Sequence, residues 1–378
     1  MAKTSAAQPK QQLQDELSEL IASDLNKKFK DNTDKVAYIG MEDTPADLTW
    51  FVSTGCTLLD LAISNRPNGG AAYGRITSLE GLESSGKSLL AAHMMVNTQK
   101  NGGVAILIDT ENAVNWSFFE AVGLDRNKNF VYASIETVEE IFEAVESIIE
   151  TVRKTSKDKP IIIVIDSMAG ATTKIEQEAD YNKDGYATSK AIILSKAMRK
   201  VTNLIGKQKI ALVITNQLRQ KMNAMTFQDQ WTTSGGKSVA FHSSTTIRLK
   251  KIGDIKNTDK HVVGVKVEAK ITKNRLGPPL RKVEFSIFFD RGIDNSGSTL
   301  RYLREQGIIK GAKSNALSYT NNADTEFTFS EKTFQKFLDE HPTEKNEIYD
   351  KLCTNMVRSY LTDGRTIEEF NVEESNEE

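Results

Sequence analysis

Long apolar runs are missing from this 378-residue sequence. A helix that crosses a membrane needs about 18 or more consecutive apolar residues, and no run of that length occurs. The first residues, MAKTSAAQPKQQLQDEL, also contain no apolar signal core. We therefore expect neither a membrane span nor a secretory signal, and we predict a cytoplasmic location.

Cysteine is also scarce, with only Cys56 and Cys353 in the whole chain. The two residues lie far apart in sequence and fit no metal-ligand spacing. A reducing cytosol keeps such thiols free. We therefore predict two buried or incidental thiols.

Acidic residues are nearly absent from the middle of the chain, although the net charge is −2. From Lys190 to Lys251 there are twelve basic residues and one acid, Asp229. From Asp339 to the end there are twelve acids and four bases. This asymmetry predicts an anionic partner for the middle of the chain, and a tail that solvates the protein or competes with that partner.

Apolar and amphipathic segments alternate between residues 49 and 290. The apolar segments are nearly continuous, which is typical of parallel strands covered by helices on both faces. The strand candidates are RITSLEG, GVAILIDTE, NFVYAS, PIIIVIDS and KIALVITN, and the helical segments between them are residues 87–100, 138–154 and 188–207. Three later runs, TTIRLKK, VVGVKVEAKITK and KVEFSIFFD, have no long helices between them. They are predicted to extend the sheet in antiparallel fashion, so the fold class is α/β.

Four regions are predicted along the chain. Residues 1–48 hold an amphipathic helix and a linker, residues 49–294 the α/β core, residues 295–365 a small α/β or helical domain, and residues 366–378 an acidic disordered tail. In the first region, apolar residues recur at helical spacing between residues 11 and 30. This helix either packs on its own domain or docks as an arm on a neighbouring molecule, and the sequence supports both interpretations equally.

The segment GLESSGKS fits the pattern G-x-x-x-x-G-K-[ST] and lies between a predicted strand and a predicted helix. In that context the pattern indicates a loop whose backbone N–H groups surround phosphate oxygens at a helix N-terminus. The lysine of the pattern reaches the β- and γ-phosphates, and its last residue ligates Mg²⁺. The residues of this phosphate loop are Gly81, Leu82, Glu83, Ser84, Ser85, Gly86, Lys87 and Ser88.

Two carboxylates follow neighbouring apolar strands. Asp166 ends the strand IIIVID, where a carboxylate is able to hold the Mg²⁺ shell. Glu111 ends AILIDTE, where a carboxylate is able to orient and deprotonate the water that attacks the γ-phosphate. The alternative for Glu111 is a strand-end residue that caps the next helix.

A long polar segment, residues 218–235, follows Gln217 and shows neither helix nor strand periodicity. Long structureless loops inside compact domains are usually functional. Cations suit the phosphates of a nucleic-acid strand and aromatic rings suit its bases, so the segment predicts a nucleic-acid interface, with an incidental surface loop as the alternative. We expect Gln217 to sense the γ-phosphate and to reset the loop. The residues that carry the interface prediction are Arg219, Lys221, Phe227 and Trp231, followed by Gly235 and Gly236 at the start of a helix.

These segments together resemble the bacterial RecA recombinase family, including its phage relatives. The resemblance is carried by GLESSGKS, LIDTENAVN, IIIVIDSMAG, VITNQLRQKMNAM, TTSGGKSVAF and KITKNRLGPPLRKVEF, which occur in the family's order and near its spacings. It implies a RecA-like P-loop NTPase core that binds ATP and Mg²⁺ and polymerises on single-stranded DNA as a helical filament. It also implies strand exchange with homologous duplex DNA in the bacterial cytosol or nucleoid, with single-strand-binding and mediator proteins as accessory partners.

Carried over residue by residue, the resemblance implies roles for further side chains. Phe118 would stack on adenine and Asn115 would contact the base edge. Arg199 and Arg219 would contact DNA phosphates. Residues 173–186 would form the first DNA loop, and residues 218–235 the second.

The resemblance also implies an interface between subunits. Lys273 and Arg275 would reach the ATP bound on the neighbouring subunit, and Phe241 would lie between subunits. Groups supplied in this way would neutralise transition-state charge only after a filament has assembled.

Some positions depart from the family pattern. The first DNA loop is acidic and both loops are about one residue longer than usual, while Ile192 stands where the family often has a DNA-binding arginine. Ala240 replaces a basic residue near the interface. These departures leave the ATP chemistry untouched and bear on the DNA affinity of the first loop and on subunit coupling.

Two other functions stay open at this point. A ring-forming helicase-type motor would use the same ATPase core, but the long second loop and the N-terminal helix favour an open filament. A recombination mediator or paralogue with weak ATPase activity is the other, and the intact Lys87, Glu111 and Asp166 argue against it.

Overall fold

A computed structural model describes residues 9–29, 35–40, 42, 44, 47–156, 158–178, 186–206, 208–220, 231–233 and 238–358. Two compact units are present, Met1–Thr49 and Trp50–Glu378. Within the described ranges, no helix is both long and apolar enough to cross a membrane. Cys56 and Cys353 are both free and buried, as predicted.

The helices cover the predicted helical segments closely, and the phosphate-loop helix coincides with its predicted bounds. The described helices are α1 (Pro9–Lys28), α2 (Thr57–Ser64), α3 (Lys87–Lys100), α4 (Trp116–Val122), α5 (Val138–Thr155), α6 (Lys174–Gln177), α7 (Tyr186–Ile205), α8 (Ser238–His242), α9 (Asn295–Glu305), α10 (Phe334–Glu340) and α11 (Pro342–Met356), with a 3-10 helix at Glu331–Thr333.

The strands form one large sheet and two small ones. They are β1 (Phe51–Val52), β2 (Ala71–Ala72), β3 (Ile76–Gly81), β4 (Val104–Asp109), β5 (Phe130–Ser134), β6 (Ile161–Asp166), β7 (Ile210–Gln220), β8 (Trp231–Thr233), β9 (Thr245–Lys256), β10 (Val262–Asn274), β11 (Lys282–Phe288), β12 (Gly292–Asp294), β13 (Lys310–Lys313), β14 (Ala316–Thr320) and β15 (Glu326–Phe329). In the large sheet the strand order is β12-β11-β10-β9-β3-β7-β6-β4-β5, and β8 pairs with β7.

The centre of the large sheet is parallel, as the continuous apolar runs predict. Strands β5, β4, β6, β7, β3 and β9 pair in parallel, and β10, β11 and β12 extend the sheet in antiparallel fashion. The antiparallel extension was therefore placed one strand too early by sequence reasoning, because β9 joins β3 in parallel.

Helices cover both faces of this sheet and bury its alternate side chains. On one face, Leu79 and Val213 share a core with Met95 of α3. On the other, Ile163 and Leu212 share a core with Met198 of α7. Burial of each apolar side chain of this size contributes about 1.5–3 kcal/mol to the stability of the fold. A strand that places side chains in both cores must be apolar along its whole length.

The second loop corrects the sequence analysis. Residues 218–235 were predicted to lack regular structure, but β7 continues to Gln220 and β8 returns beside it. Leu218 pairs with Thr233, and Gln220 pairs with Trp231. Three pairs of mostly polar residues make too short a ladder to show a period of two, although Thr and Trp favour strands.

The region after residue 294 contains both strands and helices, which is the α/β alternative. Helix α9 leads into the antiparallel sheet β13-β14-β15, and α10 and α11 follow. Phe329 and Phe337 stack with ring centroids 4.7 Å apart between sheet and helix. The boundaries proposed for a separate C-terminal domain stay a prediction.

His93 fixes the helix that follows the phosphate loop. Its Nε2 accepts a hydrogen bond from the backbone N–H of Ile293, at 2.9 Å. On its other side the ring lies against Gly55, where an added Cβ would come within 2.9 Å of Nδ1. Burial lowers the pKa of His93 to about 4, because its acceptor nitrogen is enclosed between these segments.

This pKa makes stability depend on pH. The unfolded chain binds a proton at His93 near its ordinary pKa of about 6.5, whereas the folded chain resists protonation until about pH 4. The stability contributed by neutral His93 is therefore complete above pH 6.5 and is lost as the pH falls towards 4. We expect His93→Gln, whose amide oxygen also accepts a hydrogen bond, to lose less stability over this range than the wild type. Urea unfolding at several pH values measures the free energy of unfolding of both proteins. Equal slopes of that free energy against pH would contradict the prediction.

Candidate functional site

The phosphate loop joins β3 to α3 and has the backbone of a phosphate cradle. Gly81 ends β3, and Gly86 precedes α3 with a φ of +94°, a conformation that side chains rarely adopt. An added Cβ at Gly81 would lie 2.7 Å from the carbonyl oxygen of Leu249, and one at Gly86 would lie 2.8 Å from Ile287 Cδ1. Gly81 is therefore required by the close approach of a backbone oxygen and Gly86 by its positive φ, and the loop fits a polyphosphate.

Lys87 is folded over this loop. Its ammonium donates to the carbonyl oxygens of Gly81, at 3.1 Å, and Leu82, at 2.8 Å. Burial lowers the pKa of Lys87, while the carboxylates of Asp166 and Glu111 raise it in part. The ammonium lies where phosphate oxygens would replace two carbonyl acceptors.

A second polar atom of the loop also fits a bound group. Ser85 is 2% exposed, and among the residues that the structure describes its Oγ has no hydrogen-bond partner. A buried hydroxyl without a partner costs free energy of about 1–3 kcal/mol. A ligand oxygen in the loop would supply that partner.

Asp166 and Ser88 lie together, as a metal site requires. The Ser88 hydroxyl donates to the Asp166 carboxylate, which also accepts from Thr215 Oγ1 at 2.5 Å. Burial raises the pKa of Asp166, and these two hydrogen bonds act in the opposite direction. A hydroxyl beside a buried carboxylate is an oxygen donor set that suits Mg²⁺.

Glu111 follows β4 on the strand beside Asp166. The parallel register pairs Asp109 with Asp166, which brings both strand ends to one edge of the sheet. The Glu111 carboxylate accepts from Ser167 Oγ at 2.5 Å, and its backbone N–H donates to Asp109 at 3.0 Å. Glu111 therefore lies at the phosphate-loop edge, with its side chain held by the neighbouring strand end.

Gln217 lies directly beside the phosphate loop. The register of β3 and β7 sets Gln217 opposite Gly81 and Thr215 opposite Leu79. Because β7 runs on into the hairpin with β8, one strand carries both the candidate sensor and the stem of the second loop.

An apolar cleft of about 290 Å³ opens beside the phosphate loop. Phe118 lies in its wall, as predicted for a group that stacks on a base. Asn115 caps α4, because its side chain accepts from the backbone N–H of Phe118 at 3.2 Å, and its contact with a base edge stays a prediction. Sequence reasoning missed three further lining residues, Val265, Ile287 and Phe289. They come from β10, β11 and the residue after it, and only the pairing of the sheet brings them to the loop.

A cationic group that consists of Arg199, Lys273 and Arg275 lies in another part of the molecule. Lys273 donates from Nζ to the carbonyl oxygens of Ala240, at 2.8 Å, and Phe241, at 2.6 Å. Burial lowers the pKa of Lys273 and the charge of Arg275 lowers it further. Burial also lowers the pKa of His242, and Arg199, Lys273 and Arg275 add to that effect. The predicted DNA contact Arg199 thus lies close to the two predicted interface cations.

This cationic group and the phosphate loop lie at opposite ends of β3. Lys273 pairs with Thr246, and Thr246 pairs with Ser78 near the start of β3. The N–H of Arg275 donates to Ser244 O, and the N–H of Ser244 donates to Ile76 O. The phosphate loop begins at Gly81, which is five residues beyond Ile76 and three beyond Ser78 along the strand, or about 16 Å and about 10 Å. Lys273 and Arg275 therefore do not reach the phosphate loop of their own chain.

Arg219 lies near the charges of Lys190 and Glu176 and not in the cationic group. It is exposed on the hairpin stem, opposite Thr232, and its charge acts on Lys190 of α7 together with that of Glu176. Lys190 and Arg199 are nine residues apart on one helix, which separates them by about 13 Å and places them on opposite sides. The structure therefore puts the two predicted phosphate contacts, Arg199 and Arg219, in different groups.

The structure describes only some of the other residues that are predicted to contact DNA. Trp231 is half-buried on β8, opposite Gln220. Lys221, Phe227, Gly235 and Gly236 lie outside the described residues. In the first loop, residues 174–177 form α6, with Thr173 and Glu176 as a capping box.

Comparison with known proteins gives one family. The RecA N-terminal domain family matches residues 18–294. Protein RecA of Nostoc punctiforme is 34% identical over 330 residues, which are 86% of this chain and 85% of that protein. Protein RecA of Helicobacter pylori (strain G27) is 34% identical over 268 residues, 71% of this chain and 74% of that protein. Protein RecA of Wolinella succinogenes is 31% identical over 318 residues, 84% of this chain and 86% of that protein.

The matches extend through the phosphate loop, both carboxylate-bearing strand ends and the antiparallel extension, so they cover every group described above that precedes residue 295. They confirm the resemblance and favour a recombinase over a helicase-type motor or a mediator. This chain belongs to the RecA family of DNA-dependent ATPases, which bind nucleotide with a divalent metal and act as recombinases in DNA recombination and repair.

Proposed function

We propose that this chain forms helical filaments on single-stranded DNA and uses ATP and Mg²⁺ to pair that strand with homologous duplex DNA and exchange strands. Each ATP lies between two protomers in this proposal. The bacterial cytosol or nucleoid is the proposed location, and single-strand-binding and mediator proteins are proposed accessory partners.

One protomer supplies the groups that hold the triphosphate. The N–H groups of residues 81–88 surround the phosphates, and Lys87 exchanges its carbonyl acceptors for β- and γ-phosphate oxygens. Ser88 and Asp166 would hold Mg²⁺, which would neutralise phosphate charge. Phe118 packs on the base in the apolar cleft, and Asn115 supplies the free donor of its amide to the base edge.

Glu111 acts as the general base in this proposal. Its carboxylate lies at the same sheet edge as Asp166, which supports a position near the γ-phosphate. It orients the attacking water and takes up its proton. Ser167, which donates to Glu111, holds the carboxylate in place before the water is bound.

The proposal that two protomers share an ATP site rests on the separation between the interface cations and the phosphate loop along β3. Measured along β3, Arg275 lies about 16 Å and Lys273 about 10 Å from the loop of their own chain, and Lys273 lies over the ring of Phe241, which is 68% exposed. In a head-to-tail assembly the amino edge of one sheet meets the carboxyl edge of the next. Both cations then reach the γ-phosphate of the neighbour and stabilise its developing charge.

The N-terminal helix supports assembly into a filament. Among the described residues of α1, Leu17, Leu20, Ile21 and Leu25 are all exposed. An apolar stripe left in water is typical of an interaction surface. In this proposal the helix is an arm that docks on a neighbouring copy.

The hairpin of β7 and β8 joins nucleotide to DNA in this proposal. Gln217 lies beside the phosphate loop, and Arg219 is two residues farther along the same strand. A γ-phosphate that draws in the Gln217 amide changes the position of the stem. Arg219, Trp231, Lys221 and Phe227 then grip the phosphates and bases of one strand, followed by Gly235 and Gly236 at the end of the loop. Arg199 contacts DNA from the other cationic group.

The first test removes the ammonium of the phosphate loop. Lys87→Ala should lower ATP hydrolysis by at least about a hundredfold and abolish ATP-dependent DNA binding, because the β- and γ-phosphates lose their buried cation. A coupled ATPase assay and fluorescence anisotropy with labelled single-stranded DNA measure both. Lys100→Ala, at the far end of α3, is the matched control. Wild-type turnover by Lys87→Ala would remove Lys87 from the site.

The second test removes the base without removing its shape. Glu111→Gln should bind ATP and DNA normally but hydrolyse ATP about a hundredfold or more slowly, since the amide does not take up a proton. Glu120→Gln changes an exposed carboxylate on α4 and should have no effect. Normal single-turnover hydrolysis by Glu111→Gln would exclude Glu111 as the base.

The third test mixes two inactive proteins. Lys87→Ala lacks its phosphate-loop cation but keeps Lys273 and Arg275, whereas Lys273→Ala/Arg275→Ala has the reverse defect. In an equimolar mixture, about a quarter of the head-to-tail interfaces combine two intact halves. We expect about a quarter of the wild-type ATPase rate with single-stranded DNA. No activity in a mixture that forms filaments would show that both halves act within one chain.

A further inference from the structure

The turn of residues 167–171, between β6 and the first DNA loop, touches the candidate base directly. Ser167 donates from Oγ to Glu111 Oε1 at 2.5 Å. The same Oγ accepts from the N–H of Gly170 at 3.4 Å, and Thr110 Oγ1 donates to the Ser167 carbonyl at 2.7 Å. The conformation of this turn therefore decides where the hydroxyl that orients Glu111 lies.

Gly170 packs against Glu111 without room for a side chain. A Cβ on Gly170 would lie 2.6 Å from Glu111 Cγ and 2.9 Å from Thr110 Oγ1. Such distances are well below van der Waals contact. The Glu111 side chain therefore lies directly against the backbone of this turn.

Lys190 holds the other end of the turn. Its ammonium donates to the carbonyl oxygen of Ala171, which is 2% exposed. The next residue, Thr172, is tied to the start of α5, because its N–H donates to Glu136 O at 2.9 Å. Thr172 is thus anchored beside α5, and Ser167 and Met168 are anchored by hydrogen bonds with Thr110 and Thr215. Between these two ends, the carbonyl of Ala171 is held by a cation from α7.

Two charged residues act on Lys190, one from the stem of each predicted DNA loop. Glu176 lies on α6, which starts the first loop, and Arg219 lies on the β7 stem of the second. Burial lowers the pKa of Lys190, the carboxylate of Glu176 raises it and the cation of Arg219 lowers it. The ammonium therefore feels an attraction from one stem and a repulsion from the other.

We propose that Lys190 is a positioning residue that links the stems of both DNA loops to Glu111 through the turn of residues 167–171. This proposal rests on the proposed roles of Glu111 as base and of Arg219 as a DNA phosphate contact. A phosphate on Arg219 cancels its repulsion of Lys190, which then binds Ala171 more firmly. The tightened turn fixes Ser167, and Ser167 holds Glu111 in the position that deprotonates water.

The test separates stimulation by DNA from the reaction itself. Lys190→Met keeps the aliphatic stem and removes the charge. It should lower the stimulation of ATPase by single-stranded DNA about tenfold, with DNA-free turnover unchanged within about twofold. Affinity for labelled single-stranded DNA should stay within about threefold. Lys196→Met, six residues farther along α7, is the matched control and should behave as the wild type.

Two outcomes with Lys190→Met would overturn the proposal. One is full stimulation by DNA. The other is an equal fall of DNA-free and DNA-stimulated rates, which is the result of a purely structural role. A wild-type protein with no DNA stimulation at all would instead overturn the proposed function.

A second variant tests the turn independently of α7. Gly170→Ala needs no unusual backbone conformation, and the atoms nearest to its added Cβ belong to Glu111 and Thr110. It should lower DNA-stimulated turnover about tenfold at unchanged ATP affinity, and adding Lys190→Met should lower it no further. If the two effects multiply as independent changes, Lys190 does not act through this turn.

Discussion

The parallel register of the central strands determines where each chemical group of this protein lies. Gly81, Gln217, Asp166 and Asp109 end or nearly end four strands that pair side by side, so their carboxyl edge collects the phosphate loop, the candidate sensor and both carboxylates. A shift of one strand by one residue would turn its side chains to the opposite face. The two apolar cores prevent that shift, because each buries alternate residues of the same strands.

The same register leaves the site of a single chain incomplete. A triphosphate brings several negative charges to the carboxyl edge, where Lys87 is the cation that the described residues provide within hydrogen-bond reach of the loop. Lys273 and Arg275 are held at the amino edge by pairing with β9 and by the carbonyls of α8. Their separation from the loop is built into the length of β3. In the proposed shared site, assembly is the route by which these cations meet phosphate, and hydrolysis becomes a property of the filament.

Sequence reasoning succeeded where a signal is local. The phosphate loop, the ends of α3 and the apolar central strands follow from residue types over short windows. It failed where a contact depends on sheet order. Phe289 and Val265 line the apolar cleft only because β10 and β11 lie beside the phosphate loop. The parallel pairing of β9 with β3 is a second contact of this kind. The hairpin of β7 and β8 was missed because its polar ladder is three pairs long.

The start of the acidic first loop uses its charged residues to anchor the loop on the protein. Glu176 counts against DNA affinity in the sequence, yet its carboxylate accepts from the N–H of Thr173 at 2.8 Å in the capping box of α6. Lys174 is drawn towards α5 in turn, since its N–H donates to Glu139 and its ammonium lies 3.9 Å from Glu143. The charges at the base of this loop are thus committed to anchoring it. What they contribute is a firm stem beside Lys190, and in the proposed coupling the loop acts on hydrolysis through this position.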